Sequence, residues 1–123
     1  MSEEKSIWER VADVLIAHSI DVFPPATKTG ECTKEYVVIK SDGGAQVGTF
    51  SSEFNYFTVL IYVPKDKFTY LEKFKKEVKE IIASELYPLL VPTGNETPDF
   101  YDDTVKAHMV SILYRNSVRN TRL

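Results

Sequence analysis

The amino-acid sequence predicts a single α+β domain: a mostly antiparallel sheet of about four strands with two helices packed on one face. Three observations predict it. Apolar residues recur at helical spacing in two separate stretches, residues 3–18 and 69–86. Between and after those stretches, β-branched and aromatic residues alternate at a period of two. The chain has 123 residues, enough for one buried core and too few for two. The expected order is α-β-β-β-α-β, with the domain over residues 1–114 and a basic C-terminal tail over 115–123.

In the first helix Ile7, Trp8, Val11, Val14 and Leu15 share a broad face opposite Glu9, Arg10 and Asp13. Ser2 or Ser6 is placed to cap its start. Val22-Phe23-Pro24-Pro25 forces an extended course after it and allows at most a short edge strand. Residues 36–40 read as the first full strand, and Asp42-Gly43 as a hairpin turn, because glycine accepts the positive φ such turns require. A weak return strand follows over 45–50, and then the best strand of the chain over 56–63. Thr69 and Glu72 fit a capping box for the second helix. Leu71, Phe74, Val78, Ile81, Ile82 and Leu86 form its apolar stripe. Glu72 and Lys76, Lys73 and Glu77, and Lys76 and Glu80 stand four residues apart as surface ion pairs. Residues 87–103 read as a long loop, with three prolines, four acids and no lysine or arginine. The last strand is expected over 104–114.

Composition narrows the function classes. Apolar residues make up 43% and aromatics 12%, which excludes disorder for the bulk of the chain. The single cysteine, Cys32, rules out an internal disulfide framework and fits a reducing compartment. The N-terminus lacks the basic-then-apolar pattern of a signal peptide, and no apolar run reaches the roughly 18 residues of a membrane span. A cytoplasmic place of synthesis is expected. The net charge of −3 argues against a general nucleic-acid binder, which gains most of its affinity by neutralising phosphates.

A search for chemistry finds little. Cys32 reads as a free thiol in a polar loop, His18 as a helix-end residue and His108 as a strand-rim residue, none beside a nucleophile–base pair. Two isolated histidines and one cysteine offer no paired metal-ligand spacing. The acids of residues 99–103 lack the alternation and central glycine of a calcium loop. Asp42-Gly43-Gly44 and Gly48 lack the spacing of a phosphate cradle. A small enzyme would use carboxylates such as Glu85, which intrudes on the apolar face of the second helix. No catalytic, cofactor or metal residue is assigned.

The sheet carries more information. In residues 56–63, Phe57, Val59, Ile61 and Val63 point one way and suit the helices. Tyr56, Thr58, Leu60 and Tyr62 point the other, and Tyr114 in the last strand joins them as a candidate contact residue. An outer face this apolar asks for a cover, supplied either by residues 87–103 folding back or by a neighbouring subunit. Asp99, Asp102 and Asp103 lie before the last strand, and Arg115, Arg119 and Arg122 after it. Opposite charges at its two ends suit a heterologous contact between copies.

The extended Val22-Phe23-Pro24-Pro25 after an amphipathic helix, the strand before Asp42-Gly43, the Phe57–Val63 alternation, the second helix and the late strand ending in Tyr114-Arg115 together resemble the tail terminator and tail completion (head–tail joining) proteins of long-tailed bacteriophages and prophages. The resemblance implies a hexameric ring of this chain at the head-proximal end of the tail tube, in the virion. That ring touches the tail tube protein and the head connector protein, and needs no cofactor. Many such ring proteins use a long β-hairpin, for which residues 44–55 are the only candidate here. A head-side connector or minor capsid role belongs to the same module. The alternative from the residues themselves is a ligand- or single-stranded nucleic-acid-binding module, with Tyr56, Tyr62 and Tyr114 stacking bases and the three arginines meeting phosphates.

Overall fold

A computed structural model describes residues 6–47 and 52–119. Helix α1 (Ile7–Ala17) begins at a capping box: Ser6 Oγ accepts from the Glu9 N–H at 3.1 Å, and Glu9 Oε1 accepts from the Ser6 N–H at 2.9 Å. It ends where Ser19 turns left-handed (φ 65°), with Ile20 N–H donating back to Leu15 O and Ser19 N–H to Ile16 O. This reversal closes the last carbonyls before the prolines are reached. Ser2, the other proposed cap, lies outside the described residues.

Strand β1 (Val22–Phe23) is the short edge strand the prolines allow, and it pairs parallel with β2 (Tyr36–Val47). The expected turn at Asp42-Gly43 is not there. Strand β2 runs through it and pairs antiparallel with β3 (Ser52–Pro64) from Tyr36↔Tyr62 to Val47↔Ser52. Ser41 faces Phe57 and Gly44 faces Asn55, so two residues oppose Tyr56 alone, a β-bulge. Asp42 stays on the sheet because its carboxylate accepts from Thr58 Oγ1 and lies 3.4 Å from Lys40 Nζ. One strand thus runs through both predicted ones as far as Val47, and the rest of the predicted return strand, 48–50, lies outside the described residues.

After a 3-10 turn (Lys65–Lys67) comes α2 (Tyr70–Glu85). Its predicted capping box does not form: Thr69 is already helical (φ −66°, ψ −17°), and its side chain makes no cap hydrogen bond. The preceding turn replaces it, Phe68 O accepting the Leu71 N–H at 3.0 Å. Ser6→Ala is therefore expected to cost about 1 kcal/mol. Thr69→Ala should stay within about 0.5 kcal/mol of wild type. Paired urea midpoints check the contrast, and equal losses would contradict it.

The predicted long loop is largely strand. Strands β4 (Val91–Glu96) and β5 (Phe100–Asp102) both pair antiparallel with β6 (Ala107–Arg119). Backbone groups of 87–103 find partners on β6: Thr97 N–H donates to Ser111 O at 3.0 Å, and Leu89 O accepts from Asn116 Nδ2 at 2.7 Å. Strand β6 also continues five residues beyond the expected end at Tyr114, because β3 offers partners as far as Ser52↔Arg119. Six strands, ordered β1-β2-β3-β6-β4 with β5 on the β6 edge, replace the expected four. The α+β class and the mostly antiparallel sheet stand.

Both helices pack on one face. Val11 and Leu15 of α1, Leu71, Phe74, Val78 and Ile82 of α2, and Val37, Ile39, Phe57, Val59, Ile61 and Ile112 of the sheet form one buried cluster. Trp8 Nε1 donates to Ile39 O at 2.7 Å and locks α1 onto β2. Among the described residues, no helix is long and apolar enough to cross a membrane.

Candidate functional site

Part of the outer face of the sheet is covered from within the chain, and not by the 87–103 segment. Leu89 and Leu90 of the 87–103 segment pack into the helix-side core instead. Residues 24–35 cross the outer face, anchored by Cys32 N–H donating to Val105 O at 2.7 Å. Beneath them Cys32, Tyr36, Val38 and Ala107 form a second small core with Phe23, Leu60 and Tyr62 against it. Tyr36 stacks on Tyr62 at 4.7 Å and meets Phe23 edge-on at 5.5 Å. Lys28 Nζ sits 5.6 Å and 5.7 Å from the Phe23 and Tyr36 rings, a cation–π contact that holds the crossing segment down.

This environment fixes the state of its titratable groups. Burial pushes the Cys32 thiol up, and its Sγ donates to Lys34 O at 3.3 Å, so it stays protonated at neutral pH. Burial likewise raises the phenols of Tyr36 and Tyr62. Tyr62 is thus a half-buried packing residue at the covered end of the face. Tyr56 is half-buried at the other end, directly opposite Arg115.

Tyr114 departs from the expectation. It pairs with Phe57 on the helix side, is only 2% exposed and belongs to the main core. The period of two places Met109 and Leu113 outward, so Tyr114 points inward with Val110 and Ile112. It shares no face with Tyr56 and Tyr62, and the three tyrosines make no common stacking platform.

The charged candidates separate as the sequence suggested. Asp99 and Asp103 are exposed, Asp103 lying 3.9 Å from Lys106 Nζ. The Asp102 carboxylate accepts the Thr104 N–H at 2.9 Å, within strand β5 opposite Ala107. Arg115 and Arg119 stand in β6 opposite Tyr56 and Ser52, and Arg122 lies outside the described residues. Asp102 and Arg119 therefore mark opposite ends of a 13-residue strand about 40 Å long.

The remaining polar candidates are tied up structurally. His18 Nε2 bonds the Glu85 carboxylate and joins the C-terminal ends of the two helices at the surface. His108 Nε2 bonds Lys65 O at 3.1 Å, with Phe68 and Tyr101 rings on either side. Among the described residues, no group of three or more His, Cys, Asp or Glu is placed to hold a metal ion.

Sequence reasoning missed a groove of about 850 Å³ between α2 and β4. Ile82, Ala83, Tyr87, Pro92 and Tyr114 form its apolar floor, and Lys73, Lys75, Lys76 and Lys79 line its rim together with Glu72 and Glu80. The predicted four-residue ion pairs of α2 are not formed. Lys75 and Lys79 instead reach across to Glu96 of β4, Lys75 at 3.2 Å, with a further Lys75–Glu72 contact at 3.6 Å. Glu96 outcompetes the helix acids because two lysines converge on it. The Lys79 hydrogen bond, helped by Lys75, holds its carboxyl below the usual carboxylate range despite partial burial. The signal that was available was four lysines within seven residues of α2 beside a proline-bearing edge strand.

Compared with protein-family models and with curated proteins, the chain matches none.

Proposed function

We propose that this chain is a structural subunit of a bacteriophage or prophage head–tail junction, a tail terminator or head–tail joining protein. In this reading it forms a hexameric ring that caps the tail tube and docks to the head connector. The observation that carries the reading is the charge layout of β6. Acidic Asp99, Asp102 and Asp103 cluster at its start, and Arg115 and Arg119 stand about 26 Å and about 40 Å further along. Charges so far apart do not satisfy each other within one copy, and a head-to-tail contact between copies brings them together. The β2–β3 pairing, which runs out to Val47↔Ser52, supports the reading, since many ring-forming tail proteins use a long β-hairpin.

Native mass spectrometry and sedimentation velocity test the reading, with and without a phage tail tube protein. The expected result is a ring-sized species, formed alone or on addition of the tube protein, that weakens as ionic strength rises. A strict monomer at every concentration that also ignores the tube protein would rule the proposal out.

A further inference from the structure

Residues 24–35 cross the outer face without forming helix or strand. Cys32 alone among them is buried, and none joins the main core under the helices. Among the described residues, one backbone hydrogen bond ties the segment to the rest of the fold, from Cys32 N–H to Val105 O. Other bonds close within it: Thr27 Oγ1 donates to Pro24 O at 2.8 Å, and Cys32 Sγ to Lys34 O at 3.3 Å. Two lysines add side-chain attachments. Lys28 lies over the Phe23 and Tyr36 rings, and Lys34 Nζ stands 3.3 Å from the exposed Asp21 carboxylate. Pro24-Pro25 stiffens the entry, and Ala26 turns left-handed immediately after it (φ 65°).

The rings beneath are more firmly held. Tyr36 of β2 stacks on Tyr62 of β3, with Phe23 of β1 edge-on to it. All three sit on strands whose pairing and helix-side core include no residue of 26–35. An element with few buried apolar contacts, on a sheet that stands without it, lies at the low-stability end of a fold and opens locally.

We propose that residues 26–35 are a strap, hinged at Ala26 and latched by Lys28, that lifts off the outer face while the sheet and helices stay folded. Closed, the strap hides the row of Phe23, Tyr36 and Tyr62. Lifted, it presents that row beside Leu60 and enlarges the uncovered part of the outer face. The strap is thus a gate on this face, and it does not rest on the ring reading.

Cys32, the single cysteine, reports the opening. In the closed state its thiol is 2% exposed and burial keeps it protonated, so a disulfide reagent reaches it only when the strap lifts. The probe is DTNB on the full chain in native buffer. The thiolate attacks the reagent's disulfide, a mixed disulfide forms on Cys32, and one coloured thiolate leaves. Labelling is expected at least about tenfold faster than global unfolding allows, with a urea dependence well below that of the unfolding transition. Lys28→Ala removes the latch and should speed labelling about two- to fivefold. Val78→Ala, in the main core on α2, should lower the urea midpoint yet leave the labelling rate within about twofold. Labelling that follows the full unfolding slope and speeds up in Val78→Ala makes the segment part of one cooperative unit and overturns the inference. Immediate labelling at the rate of a short cysteine peptide shows that nothing closes over the thiol and overturns it too. Hydrogen exchange supplies the check without reagent or variant. The Cys32 amide should exchange through the small opening, and the Ile61 amide of β3 only through global unfolding. Equal protection of the two overturns the strap.

Discussion

Tyr114→Ala is expected to destabilise the fold by about 3–5 kcal/mol, the range for removing a large aromatic from a close-packed core. The side chain is 2% exposed and packs in the main cluster with Ile112, Phe57 and Ile82. Tyr56→Ala, on the outer face and half-buried, should cost about 1 kcal/mol or less. Tyr114→Phe keeps the ring and should stay within about 1.5 kcal/mol of wild type. Urea unfolding of the three variants checks the ranking. A Tyr114→Ala loss no larger than that of Tyr56→Ala would place Tyr114 outside the core and return it to the candidate contact surface.

Raising the pH above about 10 should destabilise the fold, over the same range in which its lysines lose their charge. Burial, with a smaller push from the Glu96 charge, raises the Tyr114 phenol from 10.0 to about 12. Tyr36, Tyr62 and Tyr70 are shifted the same way, each chiefly by burial. A phenol raised in the folded state releases its proton more readily in the unfolded chain. Its stabilising contribution is therefore complete below pH 10 and is lost as pH rises from about 10 toward 12. For Tyr114 alone, a phenol held at about 12 corresponds to about 3 kcal/mol. Denaturant midpoints should be flat from neutral pH to about 10 and then fall steeply, and Tyr114→Phe should flatten that fall. A midpoint that holds level through pH 11 would contradict the burial of these phenols.

Helices and strong strands were legible because their signals are local. The apolar stripe of α2 and the alternation of Phe57, Val59, Ile61 and Val63 against Tyr56, Thr58, Leu60 and Tyr62 require only a period and a direction. The edge-strand limit at Val22–Phe23 followed from the prolines in the same way. Cap and turn assignments fared less well, since the same residues serve several geometries. Thr69 and Glu72 have capping-box spacing, yet the incoming 3-10 turn had already made Thr69 helical. Asp42-Gly43 suits a turn, yet the Thr58 hydroxyl across the ladder holds it as a bulge.

The candidate surfaces divide along the same line. By itself the sequence determined the α+β class, the inward and outward sets of β3, and the separation of Asp99, Asp102 and Asp103 from Arg115 and Arg119 along one late strand. Each follows from neighbours a few positions apart. Only the tertiary structure decided that 87–103 zips along β6, that residues 24–35 rather than that segment cover part of the outer face, and that Tyr114 turns inward. Only it placed Lys75 and Lys79 on Glu96, leaving Lys73 and Lys76 beside an apolar groove. The physical reason is that an edge backbone, a cover and a charge pair each depend on what another part of the chain presents, and no local pattern encodes a partner that is distant in sequence.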